Sequence, residues 1–233
     1  MKRLFISVLI LISALSLLSC AGMKPPRKPD EKNNVPPLIQ EKKVTLPLEE
    51  QTKKSLELFN EILNISQERD RRANPDRMAE LYARIINDYP GAPLAQESYM
   101  RLIGLYLRDY VPPRQREAMD LYRDYRKRYP ESPLRNAVED IISRFYYDKG
   151  EWVELKAFVS PYIKKFIETG ELKTPVHLFY YSEAKFNLND LRESYKGYEI
   201  IISKFPRTRS AGISEERLKE IRKKVRERKQ EKN

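Results

Sequence analysis

The chain has 233 residues, with 45 Lys and Arg against 34 Asp and Glu, which gives a formal net charge of +11. It contains one cysteine and one histidine, so an intrachain disulfide, a thiolate metal cluster and a His-rich metal site are excluded. The positive net charge favours anionic partners such as lipid headgroups, acidic polymers or acidic protein faces.

The N-terminus has the layout of a secretory signal peptide. Lys2 and Arg3 precede an apolar run over 4–18, which is too short to cross a bilayer because a transmembrane helix needs about 20 apolar residues. Residues 17–20, Leu-Leu-Ser-Cys, resemble the bacterial lipobox, in which cleavage falls before a cysteine that then carries a diacylglycerol thioether and an acylated amine. An ordinary secretory signal with a chance cysteine and an uncleaved anchor are the alternatives.

The lipobox resemblance implies a mature chain that begins at Cys20 and is anchored to the membrane by lipid. Two or more fatty chains, at about 0.8 kcal/mol per buried methylene, make such an anchor stable. Ala21, rather than an aspartate, implies sorting to the outer membrane, with the folded domain facing the periplasm. An exported lipoprotein meets no nucleic acid, so no nucleic-acid partner is expected.

A proline-rich tether follows the cysteine, with six prolines among charged and polar residues between positions 23 and 50. As a flexible coil it would reach roughly 30 Å from the membrane. The sequence therefore predicts four segments: a signal peptide over 1–19, a lipidated linker over 20–50, a repeat domain over 51–213 and a basic C-terminal helix or tail over 214–233.

The folded part contains a recurring unit in which an aromatic-proline pair ends an apolar stretch. Three copies share one spacing: Tyr82-x2-Ile85-x3-Tyr89-Pro90, Tyr122-x2-Tyr125-x3-Tyr129-Pro130 and Tyr198-x2-Ile201-x3-Phe205-Pro206. A degenerate fourth unit, with Tyr162 near its aromatic position, fits between the second and third copies. Repeats of this length are typical of stacked helical hairpins, because one hairpin cannot bury its apolar face alone.

The apolar residues recur at helical period and predict an all-α fold without a sheet. Asn74, Ser132 and Thr174 each precede a proline and are expected to cap a helix. The predicted helices cover 51–72, 75–88, 93–110, 114–128, 133–148, 151–169, 175–187, 190–204 and 214–230.

The units resemble tetratricopeptide repeats, and the series Ala118, Tyr122, Tyr125 and Pro130 carries the likeness best. Met78 and Ser194 stand where that family usually packs an alanine, so their hairpins are expected to be more open. Together with the lipobox and the tether, the repeats resemble the BamD-type lipoproteins of the outer-membrane β-barrel assembly machinery. Pilus and secretin pilot lipoproteins share the same kind of repeat.

No constellation for catalysis is visible in the sequence. There is no Gly-rich phosphate loop, no metal-ligand spacing and no nucleophile beside a base. We therefore expect a non-enzyme without cofactor or metal ligands, with His177 as a partly buried histidine. An enzyme with an unrecognised site is the weakest alternative.

Binding is the remaining class of function. A helical solenoid presents a concave face, built from the first helix of each hairpin, to peptides or partner helices. We expect this face to carry eight partner-binding residues: Met100, Ile103, Leu107, Tyr110, Val176, Phe179, Glu183 and Phe186. Simple packing between hairpins is the alternative for each of them.

The C-terminal segment 214–233 carries basic residues interleaved with glutamates. Ser214 is the expected N-cap of its helix, and Leu218, Ile221 and Val225 recur at helical spacing. The first half of the segment is interpreted as a helix that covers the last hairpin. For its tail, the same covering role and an electrostatic contact with lipid phosphate both stay open.

Two functional hypotheses follow. The leading one is a non-enzymatic, membrane-anchored scaffold that binds envelope proteins, including β-barrel assembly components, through a helical-repeat groove. The alternative is an adaptor that binds an anionic envelope polymer, either glycan or lipopolysaccharide, through basic surfaces.

The anchor can be tested with Cys20→Ser. In a bacterium that processes lipoproteins, we expect this change to abolish incorporation of labelled palmitate and to release the protein from membranes, because the acceptor thiol is lost. The matched control is Ser19→Ala, which keeps a small residue before the cut and should keep the label. Equal labelling of Cys20→Ser would contradict the lipidation hypothesis.

Overall fold

The computed structural model describes residues 46–67 and 75–231 of the chain. The predicted signal peptide, Cys20, most of the linker and Asn74 lie outside these residues. In the described ranges the chain forms nine helices and no strand, which confirms the all-α prediction: α1 Leu48–Gln67, α2 Pro75–Asp88, α3 Pro93–Arg108, α4 Gln115–Arg128, α5 Arg135–Lys149, α6 Trp152–Thr169, α7 Val176–Asn187, α8 Leu191–Lys204 and α9 Arg209–Gln230. Across the same ranges, no helix is both long and apolar enough to cross a membrane.

Three turns share one hydrogen-bond pattern, which matches the sequence repeat. The amides of Tyr89, Tyr129 and Phe205 donate to the carbonyl four residues earlier at 3.1, 2.9 and 2.8 Å. Their own carbonyls accept from the amides of Ala92, Ser132 and Thr208 at 3.0–3.1 Å. A residue that precedes proline is driven out of the α conformation, so each aromatic-proline pair ends one helix and sets the start of the next.

The degenerate unit ends differently. Helix α6 contains Tyr162, as predicted, but it stops at Gly170, whose φ of 69° is in the left-handed region that glycine adopts without penalty. The following helix, α7, begins after Pro175 with no side-chain cap, so the capping role expected for Thr174 is wrong.

The start of α9 also differs from the prediction. Thr208 caps this helix, because its hydroxyl accepts the amide of Ala211 at 3.2 Å. Ser214, the expected cap, is fully buried one turn into the helix and donates to the Ser210 carbonyl. The prediction for Ser214 is wrong because the third aromatic-proline turn already supplies a capping residue at Thr208.

The odd-numbered helices form a continuous row. Contacts join α1 with α3, α3 with α5, α5 with α7 and α7 with α9. Helices α2, α6 and α8 each pack against both of their neighbours in this row, and α4 packs against α3. The repeated aromatics of the even helices enter the core, since Tyr82, Tyr122 and Tyr198 are at most 5% exposed. The space between α1 and α3 is backed by α2, which packs against both of them.

A buried carboxylate joins α7 to the last two helices and to α5. Glu183 of α7 is fully buried, and its oxygens accept from the hydroxyl groups of Tyr198 at 2.7 Å and Tyr147 at 3.2 Å. The Arg217 guanidinium of α9 donates to both oxygens, at 2.9 and 3.0 Å. The carboxylate raises the pKa of Arg217, chiefly through these hydrogen bonds. Tyr198 and Arg217 therefore dock α8 and α9 on the Glu183 carboxylate of α7, and Tyr147 adds a contact from α5.

We predict that Arg217→Ala lowers the free energy of unfolding by about 2–4 kcal/mol, because it leaves the buried Glu183 charge without its cation. The matched control is Lys219→Ala on the same helix, whose pair with Glu216 is exposed to solvent and should contribute little to stability. Urea unfolding followed by circular dichroism measures both. A cost for Arg217→Ala no larger than the control would contradict the docking role.

Candidate partner-binding groove

An open groove of the described residues lies where the ends of α1 and α3 meet the start of α2. Its volume is about 500 Å³, within the range of roughly 300–1,000 Å³ that is typical of ligand pockets. At the other end of α1, the side-chain oxygen of Gln51 accepts the Gly91 amide at 3.0 Å, which ties α1 to the first aromatic-proline turn. The lining residues are Phe59, Ile62, Leu63, Ser66, Met78, Tyr82, Arg101, Leu105, Arg108 and Asp109.

The floor of this groove is apolar. Phe59 of α1 packs edge-on against Tyr82 of α2, with ring centroids 6.3 Å apart. Ile62 and Leu105 are almost fully buried, whereas the side chain of Leu63 is 43% exposed although it lines the groove. Leu63 therefore adds an exposed apolar side chain to the buried floor of the groove.

The rim of the groove is charged. Arg101 is paired with Glu97 of its own helix at 2.7 Å. Arg108 donates from Nε to the Gly104 carbonyl at 3.3 Å, and no carboxylate of the described residues forms an ion pair with it. Asp109 completes the rim and its amide caps the end of α3. The groove therefore combines an apolar floor with polar groups at one edge.

The structure places most of the eight predicted partner-binding residues inside the protein. Met100 and Val176 are partly buried and pack against the core. The other six are at most 9% exposed: Ile103, Leu107, Tyr110, Phe179, Glu183 and Phe186. These six side chains contact neighbouring helices and have little surface exposed to solvent. Their partner-binding role stays a prediction.

The groove residues were missed by sequence reasoning, because the helical period does not tell an apolar residue covered by a neighbouring helix from one left open. One signal was present in the sequence. Met78, which stands four residues before the first tyrosine of its unit, is partly buried and lines the groove. Ser194, which stands at the same position of the repeat, is fully buried.

A second polar cluster lies between α5 and α7. Glu139 is fully buried and accepts from the Tyr122 hydroxyl at 2.8 Å and from Arg135 at 3.0 Å. His177 stacks on Tyr162 with centroids 3.9 Å apart, and its Nε2 lies 3.6 Å from Glu139 Oε2. Neither of these two atoms has a hydrogen-bond partner among the described residues.

Burial lowers the pKa of His177, and this effect outweighs the opposing influence of Glu139 and Asp140. The neutral imidazole is therefore the stable form in the folded chain, and the cluster is a packing contact rather than an ion pair at neutral pH. In the described residues, no group of three or more His, Cys, Asp or Glu side chains could hold a metal ion.

The C-terminal helix is basic and packed at the same time. Leu218 and Ile221 are buried, and Arg228 donates to the Asn189 side chain at 2.6 Å. The burial of Leu218 and Ile221 confirms that the first half of the segment covers the last hairpin. Between Arg209 and Gln230, α9 carries nine basic and four acidic residues, a formal charge of +5.

Comparison with known proteins adds no assignment. A scan against protein-family models finds no match, and a search of curated proteins finds no similar protein. The groove and the two buried carboxylate clusters must therefore be interpreted from their own chemistry.

The His177 environment predicts a pH effect on stability. The folded pKa lies below the unfolded value of about 6.5. As the pH falls below 6.5, His177 binds a proton in the unfolded chain but not in the folded chain. The free energy of unfolding therefore decreases toward pH 5. In His177→Gln this decrease should be smaller, as urea unfolding at several pH values can measure. The chain has one histidine, so an unchanged slope would contradict the assignment.

Proposed function

We propose that this chain is a non-enzymatic, membrane-anchored scaffold with a tetratricopeptide-like solenoid behind a lipidated tether. It binds envelope proteins through its helical-repeat groove and takes part in outer-membrane protein assembly. The observation that supports this proposal best is the groove at α1–α3, where an apolar floor lies beside the exposed Leu63. Its size and composition suit a segment of another protein.

The row of odd-numbered helices supports the solenoid part of the proposal. Each hairpin contacts its neighbours along the chain, which is the arrangement that makes stacked repeats rigid and leaves an extended surface for partners. The resemblance of the repeats to BamD-type lipoproteins supports a role in outer-membrane protein assembly, and the lipobox-like residues support the outer-membrane location. The tether would let the folded domain stand off the membrane.

The basic surface of α9 supports a second candidate, the polymer adaptor. Arg222, Lys223, Arg226 and Lys229 are exposed on this helix. A glycan or lipopolysaccharide held by these cations would be released as salt screens the charges, because the Debye length falls to about 3 Å at 1 M salt. Binding of lipopolysaccharide that survives high salt would count against this candidate.

The scaffold proposal is tested by mild crosslinking of the lipidated protein in its own membranes, followed by purification and identification of the attached proteins. We expect Leu63→Lys to lose these partners, because a charge in the groove opposes apolar docking. The matched control is Leu56→Lys, since Leu56 lies on the same helix, is 50% exposed and does not line the groove.

Each outcome has one meaning. If the natural chain recovers barrel-assembly components and Leu63→Lys loses them, the whole proposal is supported. If the recovered proteins belong to another envelope machine, the scaffold function is supported but the process is not outer-membrane protein assembly. Recovery of glycan or lipid alone favours the adaptor. Equal recovery of partners with both lysine variants contradicts the role of the groove.

A further inference from the structure

We infer that the groove selects one kind of partner segment: an amphipathic helix that carries an acidic side chain beside its apolar residues, with the carboxylate bound by Arg108. This inference rests on the proposed function and names the chemistry of the partner. It depends on how α3 holds the Arg108 guanidinium at the rim of the groove.

Gly104 makes room for that guanidinium. A Cβ atom added to Gly104 would lie 2.6 Å from Arg108 Nη2, and the three nearest atoms all belong to the Arg108 side chain. Gly104 is buried in the interior of α3, where glycine is unfavourable for helix stability. The glycine therefore lets Arg108 fold back along its own helix, with Nε on the Gly104 carbonyl.

The folded-back guanidinium keeps hydrogen-bond donors available. Only its Nε is bonded to the protein among the described residues, and no ion pair neutralises its charge there. Arg101, the other arginine of the groove, is already paired with Glu97. The Nε bond orients this guanidinium beside the apolar floor, and its two remaining nitrogens can bind a carboxylate.

The groove fits a helix rather than an extended strand. The described elements that border it are all helices, so no sheet edge is offered to a β-strand. An apolar channel between helices is the usual site for the apolar face of a partner helix. Asp109, on the same rim, would repel a second acidic residue of the partner. The complementary partner therefore has a single carboxylate near Arg108.

The experiment selects short random peptides on phage with the immobilised full chain as bait. We expect enriched peptides to share apolar residues at helical spacing and an adjacent Asp or Glu. With the Arg108→Gln chain as bait, the apolar pattern should remain and the acidic preference should disappear. Arg84→Gln is the matched control, because Arg84 is exposed on α2 and does not line the groove.

The affinity of one selected peptide then tests the contact itself. Replacing its acid by the corresponding amide should weaken binding to the natural chain about tenfold and should leave binding to Arg108→Gln unchanged. Gly104→Ala should lose the acidic preference as well, while its thermal unfolding midpoint stays equal or rises. Asp109→Asn should strengthen binding of the acidic peptide.

Four results would overturn the inference. Enriched apolar peptides without an acidic preference would leave the scaffold function intact but remove the role of Arg108, whereas no enrichment at all would remove both. A sedimentation measurement in which Leu63→Lys turns an oligomer into a monomer would assign the groove to a second copy. Glu68 and Asp70 follow α1 and lie outside the described residues. If the peptide binds only after both are replaced by the corresponding amides, the carboxylate that Arg108 binds would belong to this chain and not to a partner.

Discussion

The clash between a proline ring and the residue before it is the constraint on which this structure depends. At Tyr89, Tyr129 and Phe205 it ends an even-numbered helix at the same point of the repeat, and the same pair of hydrogen bonds then leads into the next odd-numbered helix. Because the reversal is repeated, consecutive odd helices come to lie side by side in one row. The groove is a consequence of that row, since it lies between two odd helices and is closed behind by the even helix that connects them.

Two buried carboxylates strengthen the row where the repeat is least regular. Glu139 and Glu183 lie on consecutive odd helices, and each accepts a hydrogen bond from the first tyrosine of a repeat unit, Tyr122 or Tyr198. Burial and the neighbouring carboxylate raise the pKa of both tyrosines, so the phenols remain protonated donors. The two carboxylates differ in their charge balance: Glu183 has a bidentate arginine, whereas one oxygen of Glu139 accepts no bond from the described residues.

Much of the fold could be predicted from the sequence, because it depends on local rules. The helix ends at Tyr129 and Phe205 follow from the prolines that come directly after them. The core positions of Tyr82 and Tyr198 follow from the helical periodicity of the apolar residues. The start of α9 could not be placed, because Thr208 and Ser214 are both acceptable caps and tertiary context chose between them. Most residues predicted for binding proved to be buried, since periodicity identifies an apolar face but not whether another helix covers it. The two arginines at the rim of the groove carry no sequence signal at all.

The position of the groove can be traced to one register of the repeat. Residues 78, 118 and 194 stand at the same place, four before the first tyrosine of each unit. Ala118 and Ser194 are fully buried, and in the last unit α7 and α8 approach so closely that a Cβ on Gly197 would meet the Ser182 hydroxyl. Met78 is larger, remains partly exposed and lines the groove. The same position of the repeat is therefore sealed where its side chain is small, at Ala118 and Ser194, and partly open to the groove where the side chain is long, at Met78.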